Sequence, residues 1–201
     1  IVVIQQNLEW LFADDETVFV AGDLLWYPCE GDNKTRSAPD VMVVFGRPKG
    51  DRGSYRQWEE DNIPPQVVFE ILSPGNTSSE MNRKLLFYDR FGVEEYYLYD
   101  PDTNGLKGWL RRNGFLDIID PIAHWVSPRL GITFDLSGEV LTPRHPNGQP
   151  FVGYTEIAQR LDQERQRADQ ERQRAEDAEA RAERLAAQLR AMGVDPDATL
   201  D

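Results

Sequence analysis

Apolar residues recur along the first part of the chain with the spacing of helices and then of strands. Residues 1–13 have helical spacing, and residues 18–27 are rich in β-branched and aromatic side chains, which predicts a helix followed by one or two strands. Residues 38–45 form an apolar run interrupted only by Asp40, which predicts a buried strand. Residues 46–65 are polar and rich in glycine and proline, and they predict a long loop.

The most regular stretch comes next and predicts strand, turn, helix and strand. The first strand covers residues 66–72. Thr77 and Glu80 have the spacing of a capping box, in which the first side chain accepts from a helix amide and the second reaches back. The helix ends before Gly92, a residue type that favours the position after a helix. Residues 93–99 predict the second strand.

Shorter elements are predicted further along. Residues 106–119 predict a hairpin around Asn113 and Gly114. Residues 124–134 are mixed in character and end in a short strand, and residues 143–150 predict a linker.

A repeat of seven residues begins soon after Tyr154. Residues 163–169 (QERQRAD) are followed by residues 170–176 (QERQRAE), which is the spacing of a coiled-coil helix. Glu164 and Glu171 occupy core positions of this frame and weaken its centre. The core positions also hold Ile157, Leu161, Leu185 and Leu189. Two interpretations stay open: a helix that associates with itself or with a partner helix, and a single solvated helix held by Glu–Arg pairs.

These changes in pattern predict three segments. Residues 1–153 form the main domain, residues 154–192 form the coiled-coil helix, and residues 193–201 form a flexible tail.

Composition narrows the classes of function. The 201 residues carry a net charge of −13, which argues against a broad basic surface for nucleic acid but leaves room for a phosphate site bridged by a metal ion. No apolar run approaches the ~20 residues that a membrane span needs. A single cysteine, Cys29, forms no internal disulfide, and together with the lack of a signal-like segment it predicts a cytoplasmic protein.

Two acidic residues stand out because they interrupt apolar strands. Asp40 and Glu70 each lie in an otherwise hydrophobic run, and a buried carboxylate is costly unless it is paired, hydrogen-bonded or bound to a metal. A divalent cation between them is one explanation, and solvation at the strand ends is the other. Lys84 could add a positive charge beside such an ion, or it could form a surface pair with Glu80 one helical turn away.

Several of these motifs together resemble the Uma-two family, which consists of restriction endonuclease-like proteins of bacteria in the PD-(D/E)XK nuclease superfamily. The matching residues are Ala38-Pro39-Asp40-Val41, Val68-Phe69-Glu70-Ile71-Leu72-Ser73-Pro74, Lys84, Tyr88, Gly92-Val93, Glu95-Tyr96 and Asp100-Pro101. The resemblance runs from about residue 22 to residue 101 and continues more loosely to about residue 154.

This resemblance implies an α/β fold with a restriction-endonuclease-like mixed β-sheet core flanked by helices. It also implies that Asp40, Glu70 and the backbone carbonyl of Ile71 bind Mg²⁺ or Mn²⁺. The superfamily pattern places a lysine two residues after the glutamate, where this chain has Leu72. Lys84 on the following helix resembles a migrated replacement for that lysine, so the implied catalytic residues are Asp40, Glu70 and Lys84.

The resemblance also suggests Glu9 as an accessory acidic residue from the first helix. The function that it implies is Mg²⁺-dependent hydrolysis of DNA by a homodimer. Two alternatives are a non-catalytic nuclease-like module displayed on a coiled coil, and a metal-dependent hydrolase with another substrate.

Overall fold

The protein has an α/β fold built on a six-stranded mixed sheet, as the sequence predicts. The structure, a computed structural model, describes residues 1–192 and divides the chain into two compact units, Ile1–Val152 and a segment that begins at Gly153. The predicted flexible tail, residues 193–201, lies outside the described residues. The elements of the first unit are α1 (Val2–Leu11), β1 (Val18–Gly22), β2 (Trp26–Tyr27), β3 (Val41–Phe45), β4 (Tyr55–Arg56), β5 (Val67–Ile71), α2 (Ser78–Arg90), β6 (Glu95–Asp100), β7 (Gly105–Arg112), β8 (Phe115–Ile118), β9 (Thr133–Asp135) and β10 (Thr142–Arg144).

The main sheet has the strand order β1-β3-β5-β6-β7-β8. Strands β5 and β6 pair in parallel and the other neighbours pair antiparallel. Helix α2 joins the two parallel strands, because a parallel pair needs a crossover connection. Strands β7 and β8 form the predicted hairpin, with Asn113 and Gly114 both at positive φ.

Alternation along the strands gives the sheet two apolar faces. On one face, Leu8 of α1 packs in a core with Val41 of β3. On the other face, Met81 and Tyr88 of α2 pack in a core with Val68 of β5. Because successive strand residues point to opposite faces, the sequence of each strand decides which side chains reach α2. We call this side the α2 face.

Helix α2 begins and ends near the residues that the sequence predicts. The Thr77 side chain accepts a hydrogen bond of 3.2 Å from the amide of Glu80. The Glu80 carboxylate accepts instead from the side chain of Asn76, at 3.3 Å, so the described contacts contain only the first half of the capping box. Gly92 follows the helix with φ of +90°, where a side chain would be strained.

Three predictions from the sequence are wrong in detail. The expected loop of residues 46–65 contains β4 and a short 3₁₀ helix, because Tyr55 is buried in the α2-face core. The expected linker of residues 143–150 is part of the folded unit, since β10 pairs with β9 and the side chain of His145 is buried. The predicted strand of residues 38–45 begins only at Val41, so Asp40 lies just before it.

The second unit contains helix α3 (Tyr154–Ala191), which confirms the long helix predicted from the seven-residue repeat. Its apolar side chains at the repeat's core positions include Leu161 and Leu185, both exposed. Neither α3 nor the other helices within residues 1–192 are both long and apolar enough to cross a membrane.

Candidate active site

The pairing of β3 with β5 brings two acidic residues side by side. Val41 lies opposite Phe69 in this antiparallel pair, and the same register one residue further brings Asp40 opposite Glu70. Directly opposed residues in such a pair have Cβ atoms about 5 Å apart. Glu70 is two residues beyond Val68, so its side chain lies on the α2 face.

Asp40 is held at the end of β5 by a hydrogen bond from the backbone. Its Oδ2 atom accepts a hydrogen bond of 2.6 Å from the amide of Ile71, and its side chain is half-buried. Such a bond fixes the orientation of the carboxylate and leaves the other oxygen and further lone pairs available to another ligand. Although Asp40 precedes the first residue of β3, it therefore still lies beside Glu70.

Glu70 is almost fully buried, with 2% of the residue exposed, and receives two side chains from α2. The Lys84 ammonium lies 2.7 Å from Oε2, and the Tyr88 hydroxyl donates to Oε1. Lysine and tyrosine are one turn apart on the same helix face. The alternative in which Lys84 pairs with Glu80 on the surface is wrong, because the lysine pairs with Glu70.

Burial dominates the electrostatics of Glu70. It raises the pKa of this carboxyl from an ordinary value of 4.5 to about 7, although Lys84 and Tyr88 oppose the change. The negative charge of Asp40 raises the pKa further. A divalent cation beside the two carboxylates would offset this cost, which is one reason that the pair suits a metal.

Two contributors to this cluster were not among the predicted site residues. Tyr88 is among the residues that match the family motifs but is given no role in the predicted site, although its spacing from Lys84 places both on one helix face. Ser37 lies 3.0 Å from the Tyr88 hydroxyl. Because Tyr88 donates its proton to Glu70, Ser37 is the donor to Tyr88. Ser37 belongs to a polar turn, and nothing in its sequence context distinguishes it from its neighbours.

The residues fit a magnesium-type ion with a largely aqueous shell. Mg²⁺ takes hard oxygen ligands and usually binds one or two protein carboxylates while keeping several waters. Asp40 and Glu70 supply such oxygens, each with lone pairs beyond those used within the protein. In the part of the chain that the structure describes, no group of three or more His, Cys, Asp and Glu side chains could hold a metal. Water or a backbone carbonyl such as that of Ile71 would therefore have to complete the shell.

Glu9, the predicted accessory residue, is not bonded to this cluster in the described part of the chain. It belongs to α1, which covers the opposite face of the sheet, and its carboxylate accepts a hydrogen bond of 2.8 Å from Gln5. It lines a cleft of about 570 Å³ along the β1 edge. Within residues 1–192 no hydrogen bond or ion pair joins it to Asp40 or Glu70.

Fold and site thus define a class: an α/β domain in which one sheet face holds an opposed acidic pair, buried Glu70 and half-buried Asp40, together with a lysine. A family model, Uma2, described as "Putative restriction endonuclease", matches residues 2–118. The match covers more than half of the chain, so the chain belongs to this family, the one that its sequence motifs resemble.

Comparison with solved structures finds a crystal structure of "a putative nuclease belonging to DUF820" from Anabaena variabilis ATCC 29413. The two chains share 17% sequence identity with a TM-score of 0.44, over 63% of this chain and 69% of the other. Among curated proteins, no significant match to the chain is found.

Proposed function

We propose that this protein is an Mg²⁺-dependent endonuclease that hydrolyses phosphodiester bonds in DNA. The observation that carries the proposal is the cluster of Asp40, Glu70 and Lys84, in which two opposed carboxylates and one ammonium share the α2 face. Membership of a family described as restriction endonucleases supports the same class of reaction.

Each residue has a distinct task in this proposal. Asp40 and Glu70 hold the ion, and Tyr88 fixes the Glu70 carboxylate through its hydrogen bond. When bound, Mg²⁺ supplies polarisation of the phosphodiester and a lower pKa for a bound water. Lys84 uses one N–H on Glu70 and has further donors for a phosphate oxygen or for the attacking water. Its positive charge then stabilises the negative charge that develops on the phosphate.

Lys84 can replace a lysine at position 72 because of where α2 packs. The helix packs on the α2 face, with Met81 and Tyr88 buried in the same core as Val68 of β5. This packing places the Lys84 ammonium against the Glu70 carboxylate. A lysine at position 72, two residues after Glu70, would approach the same carboxylate from the strand.

A second candidate function is a non-catalytic, nuclease-like module displayed on the long helix α3. The net charge of −13 favours it, because an acidic chain repels the DNA backbone unless a metal ion supplies positive charge. Under either function we also propose a cytoplasmic homodimer, in which α3 binds a second copy of itself or a partner helix.

Binding of Mn²⁺ to the full chain, measured by calorimetry, tests the metal half of the proposal and separates the two functions. We expect the wild type to bind Mn²⁺, and Asp40→Asn and Glu70→Gln to lose binding. Glu80→Gln is the matched control, since it removes a carboxylate from α2 that contacts Asn76 and not Lys84. Equal binding by all four proteins, or none by the wild type, would refute the metal site.

A further inference from the structure

Tyr96 carries a buried hydroxyl group that the rest of the fold does not use. The residue lies in β6 opposite Val68, so it shares the α2 face with Glu70. It is fully buried, and its hydroxyl oxygen has no hydrogen-bond partner among the residues that the structure describes. A buried polar group without a partner costs stability, and nearly all such groups in folded proteins have one.

Packing alone does not account for this hydroxyl. The Tyr96 ring stacks on Trp109, with centroids 4.9 Å apart, and also meets the Tyr88 ring at 5.1 Å. A phenylalanine would keep both ring contacts without burying an unsatisfied oxygen. Because the ring is held on two sides, the position of the hydroxyl is fixed rather than a result of loose packing.

The surroundings of the hydroxyl make it a hydrogen-bond donor. Burial raises the pKa of Tyr96 well above its usual range, and the negative charges of Glu70 and Asp40 raise it further. The hydroxyl therefore keeps its proton while it lies within the field of two carboxylates and is bonded to neither. Among the described residues, this donor has no acceptor.

We propose that Tyr96 is a positioning residue of the metal site, whose hydroxyl donates a hydrogen bond to a water molecule held between it and the carboxylates of Asp40 and Glu70. The inference rests on the proposed function, since that water would be one that a cation held by Asp40 and Glu70 keeps. Donors that orient such waters and ligands are an ordinary part of metal sites, and their loss typically lowers metal affinity or activity by about 10- to 100-fold.

The next residue provides a matched control. Tyr97 is equally buried but lies on the opposite face of the sheet, where its hydroxyl donates to Glu95 at 2.8 Å and accepts from the Trp125 indole at 3.0 Å. Its hydroxyl therefore has a structural role on the face opposite to that of Glu70. The same substitution, tyrosine to phenylalanine, removes one oxygen at each position.

The experiment compares Tyr96→Phe and Tyr97→Phe in the full chain by thermal unfolding in EDTA and by Mn²⁺ calorimetry. For Tyr96→Phe we expect a melting temperature equal to or above that of the wild type, together with a Mn²⁺ dissociation constant raised about tenfold or more. For Tyr97→Phe we expect a lower melting temperature and an unchanged dissociation constant, because Glu95 loses a donor and the metal site loses nothing.

A fall in the melting temperature of Tyr96→Phe like that of Tyr97→Phe would make the hydroxyl structural and overturn the inference. Wild-type affinity for Mn²⁺ in Tyr96→Phe would also overturn it, while leaving the proposed function standing. A wild type that binds no Mn²⁺ would overturn both.

Discussion

At the scale of single residues, the site is organised around the carboxylate of Glu70. It is buried at 2% exposure, and three groups surround it: the Lys84 ammonium, the Tyr88 hydroxyl and the neighbouring Asp40 carboxylate. Removing a carboxylate from water is costly, so a residue in this position weakens the fold unless its partners compensate. Buried carboxylates with a strongly raised pKa, such as Glu70, occur often at functional sites.

The raised pKa of Glu70 predicts how stability depends on pH in metal-free protein. The folded state keeps the Glu70 proton up to about pH 7, whereas an unfolded chain loses it near its ordinary pKa of 4.5. Below that lower value both states are protonated. The free energy of unfolding is therefore expected to fall as pH rises from about 4.5 to 7, by up to roughly 3 kcal/mol from this residue.

Urea unfolding in EDTA across this pH range measures the effect. Glu70→Gln should lack the downward slope, so the difference between the two proteins isolates Glu70 from the other carboxylates. Added Mg²⁺ should flatten the wild-type slope because a cation favours the ionised form. Parallel pH profiles for wild type and variant would contradict the account.

Asp40 and Glu70 can be identified as candidate site residues from the sequence, because a charged residue within an apolar run is visible there. Ser37 and the unpaired hydroxyl of Tyr96 cannot be identified in this way. Their surroundings depend on which side chains the sheet register and α2 bring together. The surface pair of Glu80 with Lys84 follows from helical spacing, yet a buried carboxylate on β5 competes more strongly for the ammonium.

At the scale of elements, β5 and α2 together supply the residues of the proposed site. Strand β5 provides Glu70, and α2 provides Lys84 and Tyr88 one turn apart. The sequence predicts these elements well, because the Thr77 cap and Gly92 mark the ends of α2. The segments near residues 46–65 and 143–150 are predicted less well, since their strands β4 and β10 have only 2 and 3 residues and show little periodicity.

This division of labour predicts a rescue experiment. Lys84→Met should lower the rate of DNA cleavage by on the order of 100-fold, because it removes a positive charge from the reacting phosphate. Adding Leu72→Lys should recover part of that rate. Strand alternation places residue 72 on the same face as Glu70, and Leu72 already packs at the edge of the α2-face core.

The control for the rescue is Lys84→Met combined with Leu86→Lys. Leu86 lies on α2 and is 68% exposed, so a lysine there adds charge without access to Glu70. Recovery in this control would show that net charge, rather than placement, restores cleavage. No recovery with Leu72→Lys, in a protein that remains folded by circular dichroism, would count against the position assigned to the ammonium.

At the scale of the whole molecule, the chain joins a compact unit, Ile1–Val152, to the 38-residue helix α3. Apolar residues at the repeat's core positions occur near both ends of α3, while Glu164 and Glu171 occupy the centre. The pattern predicts the helix that the structure contains. The apolar ends favour association with a second copy, and the charged centre opposes it.

Light scattering on the full chain and on a chain ending at Val152 measures the role of α3. We expect the mass of a dimer for the full chain and of a monomer for the shortened one, because the exposed Leu161 and Leu185 are removed with the helix. If both the full chain and the shortened chain have the mass of a dimer, the interface lies in the first unit. A monomeric full chain would remove self-association altogether.

The most direct test of the central claim is cleavage of supercoiled plasmid in the presence of Mg²⁺. Wild type, Asp40→Ala, Glu70→Ala, Lys84→Ala and the control Glu80→Ala are purified in parallel and compared with and without EDTA. We expect nicked or linear product for wild type and Glu80→Ala only, and none for any protein in EDTA. Equal cleavage by all five proteins, or an inactive wild type with Mg²⁺, would contradict it.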